Sequence, residues 1–203
     1  MRRICWLLVL GAALVLAGCG GEQTPAERYL AEHSQEELCR YFEAACYFTE
    51  DYDRPEERSE HDMYRFGLAY GADDKAVYDE ATKLYHLKLA DLTAVFDRYF
   101  VDWQFDTAYF GDEYDPETGE IVSRALGAFG GGGWCYERVL GAEAVSDDEV
   151  EVHLEGSFEA DVPPAEDDPE GLWGHKTVYC DSFVRAKIVE GEARFISYHN
   201  QER

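Results

Sequence analysis

Six cysteines, six histidines and 43 acidic side chains are the groups in this 203-residue chain with chemistry to offer. The histidines (His33, His61, His86, His153, His175 and His199) are scattered, with no pair four residues apart. A helical zinc-protease motif is therefore absent, as are the Gly-x-Ser-x-Gly and Gly-Lys-Ser/Thr signatures. The glycine run Gly127 to Gly133 has the composition of a phosphate loop, but Trp134 and a strand pattern follow where a helix N-terminus is needed. The acidic runs at Glu50–Asp53, Asp112–Asp115, Asp147–Glu149 and Glu166–Asp168 lack the EF-hand order and read as solvated charge. No Cys-x-x-Cys spacing points to zinc. The chain is expected to be non-catalytic and to hold no metal or cofactor.

The cysteines divide by position. Cys5 and Cys19 belong to an N-terminal segment with basic Arg2-Arg3, an apolar stretch from Ile4 to Leu16, and small residues at its end. Thirteen apolar residues are too few to cross a bilayer, which needs roughly 20, and the pattern is that of a secretory leader. Leu16-Ala17-Gly18-Cys19 resembles the lipobox of bacterial lipoproteins. That resemblance implies lipidation of the Cys19 thiol and cleavage after Gly18; the plainer reading is an ordinary leader with a chance cysteine at its border. Residues 1–18 then form a signal peptide, 19–23 a short tether and 24–203 a single domain. The membrane would be reached through lipid on Cys19. The domain would face away from the cytoplasm, anchored at the cell membrane or, in a source cell that has one, at either the inner or the outer membrane.

Cys39, Cys46, Cys135 and Cys180 remain, an even number in an exported chain, which predicts two disulfides with three possible connectivities. Cys39 and Cys46 stand seven residues apart in a helical pattern, about 10 Å by rise, whereas disulfide Cα atoms are rarely more than about 7 Å apart. Each is expected to join one of Cys135 and Cys180, stapling helix to sheet.

The elements that must position these residues are helices first and strands later. Thr24-Pro25-Ala26-Glu27 and Ser34-Gln35-Glu36-Glu37 are capping boxes, the second followed by apolar residues at helical spacing through Phe48. Glu50 to Asp62 reads as loop, Met63 to Leu89 fits helix and strand alike, and Asp91 is expected to cap a helix reaching Phe100. From Ile121 onward the patterns alternate: Ile121–Leu126, Trp134–Val145, Val150–Phe158, Val178–Ile188 and Ala193–His199. The expectation is an α+β fold, helices packed on a curved antiparallel meander and stapled by disulfides.

That order resembles the NTF2-like and cystatin-like class of small domains. Helix Asp91–Phe100, the Gly127–Gly133 stretch and the closing hairpin Phe183–Tyr198 are similar in order to a family of exported inhibitors of D,L-endopeptidase cell-wall hydrolases. The resemblance covers residues 84–203 and implies a binding partner in the envelope or cell wall. The Asp161–Gly174 insertion and the four cysteines depart from that family's pattern.

Charge narrows the partners. The net charge is −25, and removing residues 1–18, which hold Arg2 and Arg3 but no acid, makes it −27. Such a surface repels nucleic acid and anionic lipid alike. With 46% hydrophobic and 14% aromatic residues the chain can still bury a core. Phe129, Trp134, Leu172 and Trp173 are the candidate partner-binding residues, aromatic or apolar groups placed beside glycines and loops. The alternative is an NTF2-like pocket within the sheet, binding or transforming a small molecule, for which Asp181, Tyr198 and His199 would supply polar groups.

Overall fold

Thr24 and Ser34 each start a helix by the same reciprocal contact. The Thr24 hydroxyl accepts from the Glu27 N–H at 3.2 Å while the Glu27 carboxylate accepts from the Thr24 N–H at 3.0 Å. Ser34 and Glu37 repeat this at 3.2 and 2.8 Å. Two orphan donors are satisfied at each helix start, giving α1 (Pro25–Glu32) and α2 (Gln35–Phe42). The computed structural model describes residues 22–48, 50–126, 135–162 and 174–202.

The helical pattern expected through Phe48 changes pitch after Phe42, where a 3-10 segment, Glu43–Tyr47, takes over. Ser59 caps α3 (Glu60–Gly67), inside the stretch expected to be loop. α4 (Leu89–Tyr99) begins two residues before Asp91, which lies in its first turn instead of capping it. Gly67 lets α3 and α4 touch: an added Cβ there would collide with the Leu92 side chain and stand 3.0 Å from the Phe96 ring.

The strands form two four-stranded sheets in place of the single meander expected. The first is made of β1 (Val77–Asp79), β2 (Leu84–Lys88), β3 (Tyr114–Asp115) and β4 (Glu120–Ser123), in the order β1-β2-β4-β3. The second has β5 (Cys135–Ala144), β6 (Glu149–Val162), β7 (Gly174–Val189) and β8 (Glu192–Glu202) in sequence order, all antiparallel. β6 and β7 pair without slip from Glu149↔Lys187 to Val162↔Gly174. The fold is α+β, as expected.

Helices cover one face of the second sheet. Val150, Val152, Leu154, Val184, Ala186, Ala193, Phe195 and Tyr198 point inward and are fully buried. Phe195 meets the rings of Tyr41, Phe42, Tyr99 and Phe100 at centroid distances of 5.4 to 5.8 Å. Burial of each such side chain contributes about 1.5–3 kcal/mol. The outer edge of β8 is covered, because Tyr52 and Tyr198 exchange backbone hydrogen bonds of 2.9 and 3.0 Å and Phe100 bridges Phe195.

Candidate functional site

Strand alternation sorts the polar residues of the second sheet onto two faces, and their chemistry differs. On the outer face His153, Phe183 and His199 stand in register across β6, β7 and β8. The His153 ring stacks on Phe183 at 4.4 Å. His153 Nε2 lies 3.1 Å from Asp181 Oδ1 but outside hydrogen-bonding alignment. His199 faces Asp53 at 3.2 Å and Asp51 at 3.8 Å. Arg138–Glu155, Arg185–Glu149 and Lys187–Asp148 complete a lattice of surface pairs at 2.6, 3.8 and 3.3 Å. Exposed pairs of this kind contribute about 0–1 kcal/mol each. The face is a charged, solvated plane.

Asp181 and His199 project from that outer face, whereas Tyr198 is buried on the inner one. The three residues expected to line an interior pocket are thus not brought together, and the inner face between them is filled by apolar side chains.

The inner face carries one polar group, at the end where β5 begins. There the Tyr136 hydroxyl is 3.1 Å from Ser182 Oγ and 3.3 Å from the Tyr198 hydroxyl. Ser182 in turn contacts Asn200 Oδ1 at 3.3 Å and Cys180 Sγ at 3.8 Å. Cys39 donates to the Tyr136 carbonyl at 3.8 Å, and Cys46 to the Phe42 carbonyl at 3.8 Å. Burial pushes Tyr198 up to about 12 and raises Tyr136 and Tyr52 further. It raises the thiols of Cys39, Cys46 and Cys180 as well, Cys46 most strongly. All these groups are therefore neutral at pH 7, suited to holding structure and poor as nucleophiles.

The two disulfides expected are not formed: Cys39, Cys46, Cys135 and Cys180 are all free thiols in this structure. Cys39, Cys46 and Cys180 are buried and take their contacts around Tyr136, while Cys135 is exposed. Sequence reasoning did not single out Ser182, and Tyr136 was legible only as an aromatic residue beside the glycine run, not as part of a buried cluster. The available signal was Ser182 among the inward positions 180, 184, 186 and 188, a polar residue at an apolar period.

Phe129, Trp134, Leu172 and Trp173 lie outside the described residues, as does Cys19. The strand ends that flank them are described. Cys135 pairs with Ser157, and Val162 pairs with Gly174, so segments 127–134 and 163–173 both join the sheet at one end. The chain enters at the other. The Ala26 N–H donates to Asp147 O at 3.0 Å, in the β5–β6 turn, and the Glu192 charge at the start of β8 helps raise Tyr29 of α1.

No protein-family model, curated protein or solved structure matches this chain. A groove of about 390 Å³ runs between α2 and β5, lined by Gln35, Glu36, Cys39, Arg40, Glu43 and residues 136–139. It mixes two arginines with three glutamates, Glu36, Glu43 and Glu137, and so has no net preference for an anion. Among the described residues no group of three His, Cys, Asp or Glu side chains is placed to hold a metal ion. No helix among them is long and apolar enough to cross a membrane.

Proposed function

We propose that this chain is an exported lipoprotein, anchored through Cys19, whose domain is a non-catalytic binding module for a protein of the envelope or cell wall. A cell-wall hydrolase is the partner class to which the family resemblance points. The observation that carries the reading is the polarity of the β5–β8 sheet. The tether side is marked by the Ala26–Asp147 hydrogen bond, at the Glu149 end of β6. Segment 163–173 leaves the opposite end, about 43 Å away, and segment 127–134 joins β5 opposite Ser157, about 27 Å away. A domain anchored at the turn end directs the strand ends at Val162 and Gly174 away from the bilayer, where a partner is met; the candidate partner-binding residues Phe129, Trp134, Leu172 and Trp173 belong in sequence to the segments beside Cys135, Val162 and Gly174. The acids Asp147, Asp148, Glu190 and Glu192 crowd the turn end and hold it off an anionic leaflet.

The NTF2-like and cystatin-like comparison is kept for the β5–β8 half, with helices on one face of an antiparallel sheet. The alternative pocket-bearing reading requires space on that inner face, and the filled positions there favour the binding module instead. The decisive experiment has two parts. Cys19→Ser should move the protein from the membrane fraction to the soluble envelope fraction; retention in the membrane overturns the anchor. Trp173→Ala in the anchored protein should abolish capture of the partner from envelope extracts; undiminished capture removes that segment from the binding surface.

A further inference from the structure

The two edges of the β5–β8 sheet are treated differently. Tyr52 and Phe100 cover β8, whereas no described residue bridges the backbone of β5 on the side away from β6. Register slips at Glu137 and Leu140 interrupt the first part of that strand. Gly141 to Ala144 run without a slip, and Ala142 and Ala144 are exposed. The Val145 N–H donates to Glu149 O at 2.9 Å, which makes Val145 a hydrogen-bonded position toward β6. Alternation then turns the N–H and C=O of Ala144 and Ala142 outward, and neither residue has a backbone hydrogen bond to a described residue on that side. An edge of this kind is a template for another strand.

Charge selects the strand. On the outer face Glu143 stands directly opposite Glu151, and like charges so placed repel. Neither is in an ion pair among the described residues, since Arg185, opposite Glu151 on β7, reaches Glu149 instead. Followed toward Cys135, the same edge meets the groove between α2 and β5. There Arg40 is engaged by Glu36, while Glu43 and Glu137 are in no ion pair among the described residues. A second copy would bring the same acids to the edge of a domain already at −27.

We propose that the β5 edge is a docking site for an extended, basic segment of a partner protein, added as a fifth strand with its backbone paired to Ala142 and Ala144 and a Lys or Arg set opposite Glu143. Main-chain hydrogen bonds supply the affinity and the acids choose the cation. The site is separate from segments 127–134 and 163–173 and needs neither the anchor at Cys19 nor a cell-wall partner, so it stands or falls apart from the proposed function.

The test titrates the full chain with a short, capped peptide of alternating lysine and valine, which sets lysine opposite Glu143 and valine beside the exposed alanines. One control is the same peptide N-methylated throughout, with its charge kept and its backbone donors removed; the other replaces lysine by glutamate. The lysine–valine peptide should bind and slow amide exchange at Ala142 and Ala144, followed by NMR, and the controls should do neither. Equal binding of the N-methylated peptide, or no added protection at those two amides, overturns the proposal. Ala142→Pro removes an outward donor at an edge position that accepts proline and should weaken binding about tenfold. Glu143→Lys leaves the backbone unaltered, so it serves even if the proline variant does not fold; it should weaken the lysine peptide and admit the glutamate one. Unchanged affinity in either folded variant overturns the docking site. A dimer of the free chain that Ala142→Pro abolishes would give the edge to a second copy and overturn it equally.

Discussion

Gly156 lies beneath the Cys180 thiol so closely that one added methyl group would stand 2.8 Å from the sulfur. The same methyl would press on the Tyr136 ring, a rigid group already engaged with Ser182 and Tyr198. Gly156→Ala should therefore destabilise the fold by about 1–3 kcal/mol, read from the midpoint of urea unfolding. Gly141→Ala on the neighbouring strand, where nothing lies within 4 Å of the new Cβ, should change it by less than about 0.5 kcal/mol. Equal effects at the two sites would contradict this account of the Tyr136 cluster.

Phe195 is fully buried among four aromatic rings, whereas Phe183 on the next strand faces outward over His153. Phe195→Ala should cost about 3–5 kcal/mol and Phe183→Ala about 1 kcal/mol, the contribution of one aromatic stack. Chemical denaturation of both variants checks the assignment of inner and outer faces.

Much of this arrangement was legible in the residues. The capping boxes located α1 and α2, and period-two alternation located β5 to β8 within a few positions, because those signals act locally. Cys135 and Cys180 lie on β5 and β7, which β6 separates. Of the β1-β2-β4-β3 sheet only β4 was expected, within Ile121–Leu126; that these strands form a sheet of their own was not. Its strands are two to five residues long, too short to display a period, and β1 and β2 occupy a stretch that fits helix equally well. Ser59 capped a helix that the acidic residues around Pro55 disguised as loop. The gathering of three cysteines about Tyr136 depends on tertiary packing across some 140 positions, and no local pattern encodes that.

Glu60 offers a pH test. Its Oε2 is buried without a partner, and Oε1 accepts only a 3.4 Å hydrogen bond from Asp106 N–H. Burial raises its pKa, with the Asp106 charge adding to the rise. A carboxyl whose folded pKa is raised destabilises the native state when ionised, fully above the raised value and not at all below the ordinary 4.5. Glu60→Gln should therefore stabilise the protein at pH 7. The gain should shrink as the pH falls through the raised value and vanish below about 4. A gain independent of pH would point to a cause other than charge.

Glu37 shifts the other way. The Ser34 backbone N–H, and then its hydroxyl, hold the Glu37 carboxylate below its ordinary value. That contribution is present above the ordinary value and is lost as the pH falls through the lowered one. Ser34→Ala should cost about 1 kcal/mol at pH 7 and move the Glu37 titration, followed by NMR, toward 4.5. An unmoved titration would mean that the Ser34 hydroxyl contributes nothing and that the backbone N–H alone, which alanine keeps, holds the carboxylate.

Orientation at the membrane can be read with a fluorophore and lipid-borne quenchers. Exposed Cys135 labels the end of the sheet nearest segments 127–134 and 163–173; Ser146→Cys with Cys135→Ser labels the turn end. Quenching should be strong at position 146 and weak at 135. The reverse pattern would invert the proposed display of the domain.

The attachment of α1 has a mechanical consequence. Eight residues of helix are marginal on their own, and α1 is held at its start by one backbone bond to Asp147, with Ala26 and Tyr29 as its buried side chains. Under the proposed anchor at Cys19 and the proposed partner at the far end of the sheet, force between the two would pass through that joint before it reached the fourteen-pair β6–β7 ladder. The joint yields first. Peeling α1 away releases residues 24–33 as slack, about 3.3–3.6 Å each and so roughly 35 Å in all, while the strands stay paired. The first helix is in this sense a fuse and a reel: under load it lengthens the leash and spares the domain.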